Sequence, residues 1–127
     1  MIFKELQEFE KEFKKLSKKY HSLTDDFLDL KFFLETSPTG DILPKEHIVK
    51  IAGLGENIDG EFYKIRRFFC KSLRSNGDIR IIYKYNYEDK IIEFCEIEFI
   101  EIFKKESKKQ NHDIERIKKY YSKPKKK

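Results

Sequence analysis

The spacing of apolar residues in the first part of the chain follows a helical period. Apolar side chains recur every three or four positions over residues 5–20 and again over 23–35, which places each set on one face of a helix. We therefore predict two amphipathic helices over these ranges that form an antiparallel hairpin. Ser22 or Thr24 is suited to the N-cap of the second helix.

The period then changes to that of β-strands. Residues 36–60 contain two of the three prolines and four of the five glycines, which is typical of a long connection. Beyond it, β-branched and aromatic residues predict consecutive antiparallel strands over 62–71, 78–86 and 90–103. The segments 75–78 and 87–89 predict turns. Glutamates interrupt the alternation of the third strand and favour a bulge near Glu96 to Glu98.

The last part of the chain predicts a short helix and a basic tail. Apolar residues share one face of a helix over 111–121, and residues 122–127 are rich in lysine. The predicted fold class is α+β, with one domain over 1–121 in which the N-terminal helix hairpin packs on a small antiparallel sheet and the short helix follows. Residues 1–4 offer a further edge strand.

Composition narrows the class of protein. Charged residues make up 40% and apolar residues 39% of the 127 positions, and twelve Phe and seven Tyr supply core volume, so a folded chain is expected. No apolar run is long enough to cross a bilayer and no cleavable leader is visible, so we expect a cytoplasmic protein without a membrane partner. Cys70 and Cys95 lack metal-type spacing to each other or to histidine, so no metal site is predicted.

The net charge of +5 hides an asymmetry between the two halves. Residues 1–60 hold 9 Lys and Arg against 12 Asp and Glu, whereas residues 61–127 hold 19 against 11. The second half, at +8, is therefore the part expected to meet a polyanion.

Cations are concentrated on one face of the predicted sheet. Residues i and i+2 of a strand share a face, so Lys64 and Arg66 point the same way. Arg80 lies on the neighbouring strand and can converge on that face. Like charges this close repel each other, and an anion such as a phosphate between them relieves the repulsion.

Two helices, an antiparallel meander and a short C-terminal helix, in this order, resemble the RelE/ParE toxin superfamily. Residues 63–66 look like the Tyr-Lys-Ile-Lys/Arg strand of RelE-type messenger-RNA interferases, and residues 79–83 are similar to their Tyr-Arg-Leu-Val-Tyr strand. Other segments look like those of a RelE-like subfamily: 53–55, 69–73, 99–103 and 109–117. The resemblance covers nearly the whole chain.

The resemblance implies the toxin of a type II toxin–antitoxin system, an endoribonuclease that cuts messenger RNA in the ribosomal decoding site. In that reaction an activated 2′-hydroxyl attacks the adjacent phosphate, which requires a base, donors to the phosphorane and an acid for the departing 5′-oxygen. The implied partners are a cognate antitoxin, the ribosome and messenger RNA. No cofactor is expected.

The same resemblance predicts five catalytic residues, which are Lys64, Arg66, Arg80, Lys105 and His112. The first two match the basic residues of the first motif, and Arg80 matches the arginine that contacts the scissile phosphate. Lys105 matches the basic residue that follows the last strand. Some members carry a C-terminal tyrosine as acid or base, and His112 stands in that segment here, with an unperturbed pKa of about 6.5 that suits proton transfer.

Further cations of the basic half are expected to contact RNA, namely Lys71, Arg74, Lys84 and Lys104. Lys104 is also the alternative to Lys105 at the end of the last strand. The 36–60 connection is longer than in compact members of the superfamily, and it either packs over the sheet or alters the docking surface.

Two other functions remain open from the sequence. ParE-type members inhibit DNA gyrase and lack the cationic site, so the retained cations argue against that branch. A non-catalytic RNA-binding or ribosome-binding module would use the basic half and exposed tyrosines at Tyr83, Tyr85 and Tyr87 for stacking.

Overall fold

Three helices and five strands make up the described part of the chain. The computed structural model describes residues 1–88, 91–106 and 110–123. The helices are α1 (Gln7–Lys19), α2 (Leu23–Thr36) and α3 (Ile114–Tyr121). The strands are β1 (Ile2–Glu5), β2 (Ile48–Lys50), β3 (Glu61–Cys70), β4 (Ser75–Glu88) and β5 (Ile91–Lys104). The protein is therefore a mixed α+β fold, and no helix within these ranges is long and apolar enough to span a membrane.

The strands form one mixed sheet in the order β1-β5-β4-β3-β2. Strands β2 to β5 pair antiparallel, whereas β1 lies parallel to β5 with Phe3 opposite Ile97. The three predicted strands do pair antiparallel as β3, β4 and β5, and the edge strand offered by residues 1–4 is β1, but the sheet is mixed and not purely antiparallel because β1 is parallel to β5. Each added strand satisfies backbone groups that would otherwise be open along β5 or β3. Strand β2 comes from the 36–60 connection, which thus extends the sheet.

The two N-terminal helices pack on one face of the sheet. Their boundaries agree with the predicted ranges to within two residues. Phe9, Leu23 and Leu34 are fully buried, and the Phe27 ring meets the Phe99 ring edge-on with centroids 4.7 Å apart. This face carries most of the apolar core.

The short helix α3 packs on the opposite face. Ile117 of α3 is fully buried against Phe62, Ile82 and Ile100, which come from β3, β4 and β5. Helix α3 begins at Ile114 rather than at the predicted residue 111, because the Asp113 side chain caps it by accepting the Arg116 N–H. Residues 110–113, which precede the helix, have no helical or strand structure.

A bulge in β5 lies at Ile100 rather than at 96–98. The register of β4 against β5 shifts there, so that Phe99 and Ile102 both face the helix hairpin. Ile100 packs with Ile117 of α3, and the Glu101 carboxylate accepts the N–H of Asp113 at the start of α3. The bulge thus places both Phe99 and Ile102 against the helix hairpin, although they are three positions apart, and it points Glu101 away from the hairpin.

A second register shift occurs in β3. Ile65 and Phe68 both face the helix hairpin, and Arg66 and Arg67 occupy the step between them. Gly77 of β4 packs against this point, because a Cβ there would lie 2.7 Å from the Arg66 carbonyl oxygen. Its φ of 109° also favours glycine.

The turn between β3 and β4 comes four residues earlier than predicted. Residues 71–74 form it, and Ser75 already pairs with Cys70. Arg74 supplies the left-handed position with φ 50°. The glycine of the predicted 75–78 turn therefore serves close packing of strands instead of a chain reversal.

The basic tail lies mostly outside the described residues. Ser122 forms a bridge with Ile58, and the Lys123 N–H donates to the Asn57 carbonyl oxygen at 2.7 Å. Residues 124–127 are not among those described.

Arg116 joins α3 to the rest of the molecule. Its Nη1 and Nη2 lie 2.8 and 2.9 Å from the two carboxylate oxygens of Glu12 in α1, and Nη1 also donates to the Ile100 carbonyl oxygen at 2.9 Å. The Glu101 carboxylate accepts the Asp113 N–H at 2.8 Å. Polar groups at the β5 bulge are thus satisfied by the same contacts that dock α3.

We predict that Arg116→Ala lowers the free energy of unfolding by about 2–3 kcal/mol, because it leaves Glu12 and the Ile100 carbonyl without their partner. Urea unfolding measures the change. Lys118→Ala is the matched control on the same helix, since its exposed pair with Glu115 spans 3.9 Å and contributes less than about 0.5 kcal/mol. Equal effects of the two substitutions would contradict the docking role of Arg116.

We also predict that Gly77→Ala destabilises the fold more than Gly53→Ala. Both glycines have positive φ, but an added Cβ meets nothing within 4 Å at Gly53. The control therefore costs about 1 kcal/mol for the backbone alone, and Gly77→Ala costs roughly 1–3 kcal/mol more for overpacking. Thermal unfolding of both variants checks this, and equal melting temperatures would show that β3 and β4 are not closely packed there.

Candidate active site

A cavity of about 420 Å³ opens on the α3 face of the sheet. All five residues predicted to be catalytic line it: Lys64, Arg66, Arg80, Lys105 and His112. Residues 49–52, from β2 and the chain that follows it, form one wall, and residues 110–112 with Ile114 form another. The long connection therefore contributes to the site instead of lying apart from it.

Strand alternation explains how two of the cations meet, and a backbone hydrogen bond places a third beside them. Ile65 of β3 and Ile81 of β4 are buried toward the helix hairpin, so their neighbours Lys64 and Arg80 project to the other face. Lys105 follows β5, and its N–H donates to the Asp78 carbonyl oxygen at 2.7 Å. That bond extends the pairing with β4 and brings Lys105 beside the same cavity.

The cations repel one another. Among the described residues, no carboxylate oxygen lies within 4.0 Å of Lys64, Arg66, Arg80 or Lys105. Burial, followed by the charges of Arg80, Lys105 and Arg66, lowers the pKa of Lys64 from its usual 10.5. Burial and the charge of Arg66 likewise lower the pKa of Arg80. An anion in the cavity would relieve this repulsion.

Hydrogen bonds orient two of these cations. The Nε of Arg80 donates to the Gly77 carbonyl oxygen at 2.6 Å, which leaves its two terminal nitrogens without a partner in the described part of the chain. The Nζ of Lys64 donates to Oδ1 of Asn111. Both side chains are therefore held with donors available to a ligand.

His112 brings a titratable group to the same cavity. Both of its ring nitrogens are buried, and neither has a hydrogen-bond partner among residues 1–88, 91–106 and 110–123. Burial and the nearby Lys64 charge lower the pKa of His112 below its usual 6.5. The imidazole is therefore neutral at pH 7 and able to accept a proton.

Two residues at the site were missed by the sequence reasoning. Glu101 lies in one cross-strand row with Ile82 and Lys64, and burial raises the pKa of its carboxyl. Asn111 precedes His112 and contacts Lys64. A glutamate between Ile100 and Ile102 was the signal for Glu101, whereas no sequence pattern pointed to the contact between Asn111 and Lys64.

The four residues predicted to contact RNA lie outside the cavity lining. Lys71 and Arg74 are exposed in the turn between β3 and β4. The Nζ of Lys84 lies 4.7 Å from the centroid of the Tyr121 ring, beneath α3. Lys104 points to the helix side, where its Nζ lies 3.7 Å from Glu106. Of the two adjacent lysines Lys104 and Lys105, only Lys105 lines the cavity.

The tyrosines proposed for stacking differ in exposure. Tyr83 is fully buried and its hydroxyl donates to the Pro38 carbonyl oxygen at 2.7 Å, so the expectation that it is exposed is wrong. The Tyr85 and Tyr87 rings stack with centroids 5.1 Å apart, and Tyr87 is 48% exposed. These three residues lie on the face of β4 that does not carry the cavity.

Comparisons with protein-family models, with curated proteins and with solved structures found no match to this chain. Within the described residues, no group of three or more His, Cys, Asp and Glu side chains is arranged to hold a metal ion.

We predict that Arg80→Met raises the pKa of Lys64, because it removes a neighbouring positive charge and keeps a side chain of similar length. Nitrogen-detected NMR titration of the Lys64 amine measures this. Lys118→Met, which removes one positive charge outside the cavity, should leave the titration unchanged. A Lys64 pKa that does not respond to Arg80→Met would show that the two cations do not interact.

Proposed function

We propose that this protein is a RelE-like toxin, a ribosome-dependent endoribonuclease that cleaves messenger RNA by attack of a 2′-hydroxyl on the adjacent phosphate. The observation that carries the proposal is that four cations, which have no carboxylate partner in the part of the chain that the structure describes, converge with a neutral histidine on one cavity. Such a site is complementary to a phosphate that gains negative charge during the reaction.

The roles follow from the protonation states. His112 accepts the proton of the 2′-hydroxyl as the O2′–P bond forms. Lys64, whose pKa is lowered, gives a proton to the 5′-oxygen as the P–O5′ bond breaks. The products are a 2′,3′-cyclic phosphate and a 5′-hydroxyl, and solvent restores both side chains.

The guanidinium of Arg80 stabilises the phosphorane between these steps. Its Nε is fixed to the Gly77 carbonyl, so the terminal nitrogens are oriented before the substrate arrives. Arg66 and Lys105 add charge on either side of the phosphate. The positive charges that repel one another in the unbound protein then all attract the bound phosphate.

The ribosome supplies the positioning that the cavity lacks. Among the described residues that line it there is no Phe, Tyr or Trp, so a nucleotide base finds none of these large rings on which to stack. Holding the codon in place can account for several kcal/mol of the barrier. Cleavage of free RNA should therefore be weak, and binding should weaken steeply as salt rises.

A toxin of this kind implies an antitoxin that covers the sheet or displaces the C-terminal helix. When no RNA is bound, the positive charges of the cavity are not neutralised by a ligand. An acidic segment of the antitoxin is suited to bind there and neutralise them.

We predict that Lys64→Ala and Arg80→Ala each lower the rate of cleavage of ribosome-bound messenger RNA by about a hundredfold, on the order of 3 kcal/mol. Neither should unfold the protein, because partly exposed strand cations contribute little to stability. Primer extension on a translated message measures cleavage, and Lys118→Ala is the control with unchanged rate.

Three outcomes separate the candidate functions. Full cleavage by a folded Lys64→Ala, Arg80→Ala double variant would remove the catalytic proposal. Equal, efficient cleavage with and without ribosomes would indicate a free-standing ribonuclease. Inhibition of gyrase supercoiling without RNA cleavage would indicate the ParE-type activity instead.

A further inference from the structure

One side chain outside the sheet holds the amine of Lys64. The Nζ of Lys64 donates to Oδ1 of Asn111, in the segment that leads into α3. The same oxygen also accepts the backbone N–H of His112, with the two atoms 2.9 Å apart. A single amide oxygen therefore links the amine to the residue that carries the neutral imidazole.

The segment that carries Asn111 is itself attached to the sheet. The Asp113 N–H donates to the Glu101 carboxylate at 2.8 Å, and the Asp113 side chain accepts the Arg116 N–H at 3.1 Å. Arg116 in turn is bound to α1 and to the β5 bulge. Asn111 therefore lies two residues from a residue that is bonded both to the sheet and to α3.

The Lys64 ammonium needs such a contact because neighbouring positive charges repel it from the cavity. Its four-carbon stem has many rotamers. The charged and titratable groups that face it or share its cavity are Lys50 of β2, Arg66 of β3, Arg80 of β4, Glu101 of β5, Lys105 and His112. All but Glu101 are cations or an imidazole, so repulsion favours rotamers that carry the amine out to solvent.

We propose that Asn111 is a positioning residue of the active site, whose side-chain oxygen holds Lys64 at the scissile phosphate and sets its distance from His112. The inference rests on the function proposed above. It assigns to Asn111 no contact with the substrate.

Two substitutions at this position act on Lys64 in opposite directions. Asn111→Asp keeps the acceptor and adds a negative charge, so the pKa of Lys64 should rise. Asn111→Ala removes an acceptor that favours the ammonium, so the pKa of Lys64 should fall. Nitrogen-detected NMR of the free protein measures both shifts, and the Lys64 resonance is identified by its loss in Lys64→Gln.

Cleavage of ribosome-bound messenger RNA gives the second readout. Asn111→Ala should lose on the order of tenfold to a hundredfold in rate, because the acid is no longer held in place. Asn111→Asp should keep more activity, with the alkaline limb of its pH–rate profile moved to higher pH. Asn57→Asp, the same change at an exposed asparagine outside the cavity lining, should match the unaltered protein in both readouts.

The proposal is overturned if Asn111→Asp leaves the Lys64 titration unchanged, or if Asn111→Ala cleaves at the full rate with the same alkaline limb. Its failure is distinguishable from failure of the proposed function. If the unaltered protein does not cleave ribosome-bound RNA, the endoribonuclease proposal falls, and the amine titration alone decides whether Asn111 holds Lys64.

Discussion

The bidentate ion pair between Arg116 and Glu12 is the interaction on which the candidate site depends. It joins α3 to α1, which pack on opposite faces of the sheet, and the same guanidinium satisfies the Ile100 carbonyl at the bulge of β5. Because α3 has only eight residues, its own helix propensity would not keep it folded in isolation. Docking by Arg116 and burial of Ile117 fix the helix, and the fixed helix places Asn111 and His112 over the cations of β3 and β4.

The cation cluster has an energetic cost for the free protein. Lys64, Arg66 and Arg80 share a partly buried face without carboxylate partners among the described residues, and the lowered pKa values of Lys64 and Arg80 reflect that cost. Stability alone would favour a neutral or apolar side chain at these positions. Such a local conflict is expected at a functional site, where the ligand supplies the missing charge. The rest of the fold, with its aromatic core between the helix hairpin and the sheet, supports this arrangement.

Sequence patterns predicted the positions of the helices and strands better than the pairing, bulges and turns that connect them. Periodicity located α1, α2 and the three long strands, and alternation on β3 and β4 brought Lys64 and Arg80 to one face. It did not reveal the parallel pairing of β1, because four residues carry too little pattern, nor the bulge position, which depends on what packs on each face. Gly77 was read as a turn residue because a glycine required for close strand packing has the same local signature. The contact of Asn111 with Lys64 joins residues 47 positions apart, which no local pattern encodes.

The proposed reaction requires the 2′-hydroxyl of the nucleotide at which the message is cut. A message that carries a single 2′-deoxynucleotide at the cleavage site, placed in the ribosomal decoding site, should resist the protein at that position. The all-ribose message should be cut there and end in a 2′,3′-cyclic phosphate, since in the proposed reaction the 2′-oxygen is the nucleophile and no side chain of the protein replaces it. Cleavage at the 2′-deoxynucleotide, or a product that ends in a 3′-hydroxyl, would contradict the central claim.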